Sequence, residues 1–98
     1  MNGSSGHAGL FSNLNDMSIL TQVTLNKGTY GNIKFLSQNV QDMFLTPYSS
    51  NPTFGLGWRL NRTKSLPWFG LYASDEAYGH TGRTGTCTVI DSQHSMAI

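Results

Sequence analysis

The spacing of apolar residues changes near the middle of the chain, and this change limits the possible folds more than any other feature. In the first half, apolar residues such as Met17, Leu20 and Val23 recur at the spacing of an amphipathic helix. From Phe54 to Leu60 they alternate with glycine and arginine, which is the spacing of a strand with one apolar face. Helices followed by strands indicate an α+β fold.

Two helices are predicted before this change. Ser12 or Asn13 can cap the first helix, which we predict over residues 13–26. Ser37 can cap a second, shorter helix that ends before Pro47, because the residue preceding a proline disfavours helical geometry. Between the two helices only a turn is expected.

The second half predicts an antiparallel sheet. We expect strands at residues 54–60, 67–73 and 86–91, a glycine-rich strand that starts at Tyr78 and turns into the last of these, and the opening of a further strand at 95–98. The apolar face of these strands needs cover, and the two helices are the elements that can supply it. The prediction is therefore a single domain over residues 1–98, with a loop at 1–11, a helical part at 12–47 and antiparallel strands at 54–98.

Composition excludes several classes of function. A net charge of +1 with 11% charged residues argues against nucleic-acid binding, which needs clustered Lys and Arg. No apolar run approaches the roughly 20 residues of a membrane-spanning helix. The single cysteine, Cys87, excludes an internal disulfide and a Cys-rich metal site, and we expect it to be a small buried strand residue. No metal or other cofactor is expected.

A glycine-rich stretch is the best candidate for a functional site. Three glycines at positions 79, 82 and 85 are separated by two threonines, one histidine and one arginine, and a β-branched run follows them. Glycine removes the side chain that would keep another molecule away from the backbone. A ligand could therefore lie along His80, Thr81 and Gly82 and bond to main-chain groups.

The string His80-Thr81-Gly82, followed by Thr84-Gly85-Thr86, resembles an active-site motif of the penicillin-recognising serine hydrolases, which include class C β-lactamases, DD-peptidases and related esterases. Two further stretches agree with this resemblance, in the family's order: GHAGLFS at residues 6–12 and FGLGWRL at residues 54–60. The resemblance covers nearly the whole chain. It implies a partial β-lactamase or transpeptidase-like fold, from the C-terminal portion of such a hydrolase.

The resemblance also implies roles for individual residues. The backbone N–H of Arg83 would be one oxyanion donor, and the N–H of the nucleophilic serine would be the other. His80 would lie beside the nucleophile's proton path, where many relatives carry lysine. Thr81 would bind a substrate carboxylate, Gly82 would let the substrate approach, and Thr84 would belong to the same substrate-binding strand. The Arg83 side chain departs from the aromatic or apolar residue usual in the family, and it could bind a carboxylate or face solvent.

The nucleophile motif of that family, Ser-x-x-Lys, does not occur in these 98 residues. The nearest string, at residues 24–27, begins with threonine. Tyr30-Gly31-Asn32 and Ser49-Ser50-Asn51 match the second family motif as letters, but they follow the GHAGLFS stretch instead of preceding it. We therefore expect the chain to be inactive by itself. A non-catalytic binding or interaction module, or an unrelated small α+β domain, are the alternatives.

The resemblance implies a small-molecule or cell-wall peptide substrate for the intact parent protein, acting in the periplasm, outside the cell or in the cell envelope. It also implies that apolar faces near Trp58 and Leu60 lack their usual helical cover. The last strand, from Ser95, is short, and open sheet edges recruit further strands. A homo-oligomer whose contacts involve the terminal strand or the strand at residues 54–60 is therefore expected.

Overall fold

The computed structural model describes residues 6–98, so part of the predicted N-terminal loop lies outside the described residues. The first helix, α1, spans Leu14–Leu25 and is capped by Asn13, whose side chain accepts a hydrogen bond from the Asp16 N–H. The second helix, α2, spans Gln38–Phe44 and is capped by Ser37. Both predicted helices are confirmed, because the capping residues supply acceptors for the free N–H groups of the first turn.

A small antiparallel hairpin lies between the helices, where only a turn was expected. Its strands are β1, Thr29–Tyr30, and β2, Ile33–Lys34. Gly31 adopts a φ of 56° in the connecting turn, a left-handed conformation that glycine adopts without steric cost. The string Tyr30-Gly31-Asn32 is therefore part of this hairpin turn.

The main sheet is antiparallel and has four strands in the order β3-β4-β5-β6. The strands are β3, Arg59–Leu60; β4, Tyr78–Thr81; β5, Cys87–Asp91; and β6, Met96–Ala97. The α+β prediction is confirmed: two helices are followed by an antiparallel sheet.

The core lies between the helices and one face of this sheet. Leu60, Tyr78 and Ile90 form its buried centre, and Leu25 of α1 and Leu45 after α2 pack against it. The same cluster includes Trp58, whose ring meets Tyr78 edge-on with 5.3 Å between the ring centroids. Leu60 is therefore covered by Leu25 of α1 and Leu45 after α2, contrary to the expectation that the faces near Trp58 and Leu60 lack helical cover.

The predicted strand over residues 54–60 is wrong for most of its length. The chain turns between Gly55, whose N–H donates to the Trp58 carbonyl, and Trp58 itself, and Gly57 has a φ of 76° in this turn. Phe54 is thereby folded back against Arg59, whose guanidinium lies 3.9 Å from the Phe54 ring centroid. The alternation of apolar residues reflected a turn that glycine permits, not a continuous strand.

The predicted strand over residues 67–73 is also wrong, because a short 3₁₀ helix, Pro67–Phe69, occupies this segment. Proline fixes a helical φ and lacks the N–H that a first helical position would leave unpaired. Gly70, with a φ of 80°, ends the helix. Phe69 is buried here and stacks on Trp68.

A buried polar network joins the loop before β4 to the end of β5. Asn61 donates from its side chain to the Ser74 carbonyl at 2.9 Å. Asp91 accepts from the Ser74 N–H at 2.8 Å and from the Ser74 hydroxyl at 2.7 Å. Buried polar groups need such partners, so this network fixes the loop against the sheet.

Candidate active-site strand

The candidate stretch forms a hairpin of β4 and β5. At its tip, the Gly85 N–H donates to the Gly82 carbonyl at 3.1 Å, which places Arg83 and Thr84 at the two central positions of a turn. The Gly82 N–H donates to the Thr86 carbonyl at 2.7 Å and closes the hairpin below the turn. The predicted site residues therefore lie together on one strand end and its turn.

This strand end projects beyond its neighbour on one side. β3 pairs with β4 only through Arg59 opposite Gly79 and Leu60 opposite Tyr78. On the other side, β5 pairs with β4 as far as Thr81, which lies opposite Cys87. Among residues 6–98, no strand therefore pairs with the β3-side edge of His80 and Thr81.

The Arg83 N–H points toward this open edge. Peptide bonds in the described residues are trans, so C=O and N–H of the Gly82–Arg83 peptide point in opposite directions. The Gly82 carbonyl accepts its bond inside the turn, so the Arg83 N–H is directed away from β5. It forms no hydrogen bond with any group in the described part of the chain.

The His80 ring is oriented by the backbone of the next residue. Its Nδ1 lies 2.8 Å from the Thr81 carbonyl oxygen, which can only accept a hydrogen bond. In the neutral ring, Nδ1 therefore carries the proton and Nε2 is left as a proton acceptor. The side chain is exposed, so this acceptor is accessible to a ligand on the strand.

The other predicted binding residues are exposed on the same hairpin. Thr81, Gly82 and Thr84 are all accessible to solvent. A methyl group on Gly82 would collide with the Thr86 hydroxyl, so glycine is needed here for the hairpin's own packing. Cys87, opposite Thr81, is also exposed. The prediction that Cys87 is buried is wrong, because the strand end that carries it lies outside the helical cover.

The segment after the GHAGLFS glycines approaches the hairpin. Leu10 and Ser12 line a cavity of about 660 Å³ together with Thr86, Cys87 and Thr88 of the hairpin's second strand. The cavity's remaining walls come from the first turns of α1 and from β6. Two stretches that the resemblance groups, one from each half of the chain, therefore contribute to the wall of one cavity.

Asp91 is a structural residue that no local sequence pattern indicated. Burial alone would raise the pKa of Asp91, but its hydrogen bonds from Ser74 and His94 outweigh burial and hold that pKa well below its ordinary value. His94 lies 2.9 Å from Asp91 through Nδ1, so it is a fixed part of the turn. The Ser74 hydroxyl bonds Asp91, so these three residues do not form a nucleophile paired with a base.

Comparison with known proteins gives the family. The sequence model of the Beta-lactamase family matches residues 1–98. The chain belongs to this family. It is 57% identical over its whole length to an N-acetylmuramyl-L-alanine amidase of Bacillus subtilis (strain 168). It is also 52% identical to a putative D-alanyl-D-alanine carboxypeptidase of Escherichia coli O157:H7 and to one of Salmonella paratyphi B.

The chain spans only part of these relatives. It corresponds to 22% of the amidase and to 23% of each carboxypeptidase. No solved structure matches the chain. The described residues contain no group of three or more His, Cys, Asp or Glu placed to hold a metal ion, and no helix among them is long and apolar enough to cross a membrane.

Proposed function

We propose that the chain forms the substrate-binding strand of a serine hydrolase that transfers acyl groups from peptidoglycan-type peptides. The observation that carries this proposal is the Arg83 N–H, which is unbonded and directed away from β5 beside an open strand edge. The names of the relatives, a cell-wall amidase and putative carboxypeptidases, support the substrate class.

The chemistry requires donors that are in place before the reaction. As a nucleophile attacks an acyl carbon, the carbonyl oxygen gains negative charge, and fixed backbone N–H groups stabilise that charge. The Arg83 N–H supplies one donor, and its direction is set by the Gly82–Gly85 turn. Nε2 of His80 can accept a proton near the reacting group.

The peptide backbone of the substrate binds along the same strand in this proposal. Thr81 faces the open edge with Arg83, because hydrogen-bonding groups alternate between the two edges of an antiparallel strand. A peptide placed there extends the sheet by one strand through main-chain bonds. Thr81 and Thr84 add hydroxyl groups to this binding strand.

The chain does not turn over acyl substrates by itself in this proposal, because it contains no Ser-x-x-Lys nucleophile. The test is to incubate purified residues 1–98 with a chromogenic β-lactam and with an activated ester. We expect no hydrolysis above the buffer rate and no added mass on any serine by mass spectrometry. A serine acylated in a stoichiometric or burst phase would refute the proposal of inactivity.

The competing proposal is a non-catalytic binding module, which the absence of the nucleophile motif in these 98 residues favours. A penicillin with a fluorescent label separates the two when it is applied to the protein in its natural host. Covalent labelling of a polypeptide that contains this sequence supports the hydrolase. Binding of cell-wall peptide by that polypeptide without labelling supports the binding module.

We also propose that the chain self-associates through the outer edge of β6. This strand is at the end of the sheet order, and Met96 on it and Ile98 directly after it are exposed. Unpaired edge strands of this kind recruit further strands. Light scattering over a dilution series is expected to show a mass above the monomer that falls on dilution. A monomer at every concentration would exclude self-association.

A further inference from the structure

We propose that a cavity between the ends of the two helices and the start of β4 binds a small zwitterion, such as a free amino acid. The cavity has a volume of about 310 Å³. Its walls include Thr24 and Leu25 at the end of α1, Gln41 of α2 and Tyr78 at the start of β4. None of residues 79–86 lines the cavity, so it is separate from the strand and turn of the proposed function and does not depend on them.

The side-chain oxygen of Gln41 is a buried acceptor without a donor. Gln41 is 8% exposed, and its Nε2 donates to the Thr24 carbonyl at 2.5 Å. This bond fixes the orientation of the amide, because the opposite orientation would place two acceptors against each other. Oε1 accepts no hydrogen bond from any group in residues 6–98. A buried acceptor without a partner costs free energy, so a ligand that brings a donor to Gln41 would be stabilised.

Tyr78 brings a second buried polar atom to the same cavity. Its hydroxyl has no hydrogen-bond partner in the described part of the chain. Burial raises the pKa of Tyr78, and the nearby Thr24 hydroxyl lowers it only in part, so the Tyr78 hydroxyl keeps its proton at neutral pH and can donate it. The Thr24 hydroxyl itself donates to the Thr21 carbonyl at 2.7 Å, and its contact with Tyr78 lacks hydrogen-bond geometry. Gln41 therefore requires a donor, whereas Tyr78 can serve an acceptor.

Four charged side chains also line the cavity, two of each sign. They are Lys27, Arg62, Asp42 and Glu76. All four are exposed, and none forms an ion pair or a side-chain hydrogen bond within residues 6–98. Charges of both signs at the cavity are therefore available to a ligand.

A zwitterion matches both sets of groups at once. An ammonium group carries three donors and no acceptor, so it suits Gln41 Oε1, the two carboxylates and the negative end of the α1 dipole. A carboxylate only accepts, so it suits the Tyr78 hydroxyl and the two basic side chains. A ligand with one charge would leave half of these groups unused and would face like charges.

The experiment titrates the purified 98-residue chain with alanine at pH 7 and follows amide chemical shifts by NMR. L-alanine and D-alanine are both used, because the lining groups indicate the charges of the ligand and not its handedness. Alaninamide, which lacks the carboxylate, and N-acetylalanine, which lacks the ammonium group, are the matched ligands. We expect alanine to shift amides at residues 24–28, 41–46 and 76–78. Each analogue should bind about 2- to 5-fold more weakly, since exposed charges contribute little.

Charge variants at the cavity wall give a second readout that does not disturb the core. Glu76→Gln and Arg62→Gln each remove one exposed charge, and each should weaken alanine binding about 2- to 5-fold. The matched controls are Asp75→Asn and Lys64→Gln, because these two residues pair with each other at 3.1 Å and do not line the cavity. The controls should bind alanine as wild type does.

Two further variants test the buried groups. Gln41→Met removes the unpaired acceptor, and we expect alanine binding to weaken about tenfold. Tyr78→Phe removes only the hydroxyl and should weaken binding of alanine more than that of alaninamide, which has no carboxylate to receive the bond. Circular dichroism checks that both variants fold, and the charge variants decide the outcome if either does not.

Four results would overturn the proposal. If no ligand shifts the cavity amides, the cavity does not bind amino acids. If alanine and its two analogues bind equally, the ligand is not selected as a zwitterion. If Asp75→Asn weakens binding as much as Glu76→Gln, the effect comes from net charge and not from the cavity. If the shifts are confined to residues 80–83, alanine binds the strand of the proposed function instead, so the two proposals are tested by different amides.

Discussion

The two ends of β4 differ in how they are held. At Tyr78 and Gly79 the strand is paired on both sides, by β3 and by β5. Tyr78 is 2% exposed and packs in the centre of the core. At His80 and Thr81 the strand is paired only with β5, and both residues are exposed.

This difference explains how a short strand can be both rigid and available. The closed end is fixed by the core and by the buried bonds among Asn61, Ser74 and Asp91. The open end continues the direction of the closed end, and the Thr81 and Arg83 N–H groups on its β3 side remain free for a ligand. A preorganised donor needs both properties, because its position must be set before charge develops. Substitutions at the closed end should therefore change stability, and substitutions at the open end should change binding.

The largest expected effect is at Ile90, which lies opposite Tyr78 and is 0% exposed. Ile90→Ala removes buried methylene and methyl groups and leaves a cavity, so we expect the free energy of unfolding to fall by about 2–5 kcal/mol. Thr84→Ala, at the exposed tip, should change it by less than about 0.5 kcal/mol. Urea unfolding followed by circular dichroism measures both. Equal losses for the two variants would contradict the division of the hairpin into a closed and an open end.

The next effect concerns Asp91, which holds the closed end. Asp91→Asn replaces a carboxylate that accepts bonds from Ser74 and His94, so we expect a loss of about 1.5–3 kcal/mol at neutral pH. The folded-state pKa of Asp91 is depressed, so its contribution is present above the ordinary carboxyl pKa of about 4 and is lost as pH falls below it. The free energy of unfolding, measured between neutral pH and about pH 2, should fall less with acid for Asp91→Asn than for wild type. If the free energy of unfolding falls equally with acid in both proteins, Asp91 is not the source of the pH dependence.

The smallest expected difference is between two glycines, Gly79 within β4 and Gly82 directly after it. A methyl group at Gly79 would collide with the backbone carbonyl of Thr88, which the sheet fixes, whereas at Gly82 it would collide with the Thr86 side chain. We expect Gly79→Ala to cost about 1–3 kcal/mol and Gly82→Ala to cost less. Adding Thr86→Ala should recover stability in Gly82→Ala but cannot do so in Gly79→Ala. Thermal unfolding of the variants checks this order, and the reverse order would show that the tip is the more constrained end.

The sequence predicted the elements whose signals are local. Asn13 and Ser37 marked both helix starts because an N-cap is a short-range signal. The turns at Gly57 and Pro67 were missed because alternating apolar residues can also be separated by a tight turn, and the choice depends on packing against α2 and the sheet. A hydrogen bond from the Leu56 N–H to the Phe44 carbonyl, at 2.8 Å, holds the first of these turns.

The candidate site was predictable as a motif but not as a geometry. The string from His80 to Thr86 identified the right hairpin, since its glycines and threonines are adjacent in sequence. The late start of β3 at Arg59, which leaves the edge open, depends on the turn at residues 55–58 and could not be read from the spacing. The partners of Asp91 are 17 and three residues away. A local sequence pattern can indicate the partner three residues away, but it cannot indicate the partner 17 residues away. That contact is known only from the fold.

The most direct test of the open edge is amide hydrogen exchange along residues 78–83, measured residue by residue by NMR. Because bonding groups alternate between the two edges of the strand, the amides of His80 and Gly82 should be protected by β5, as the bond from Gly82 to Thr86 indicates. The amides of Thr81 and Arg83 should exchange near the rate of an unstructured chain, while that of Gly79, opposite Arg59, should be protected. Protection of Thr81 and Arg83 equal to that of His80 and Gly82 would contradict the account, because those donors would then be unavailable to a substrate.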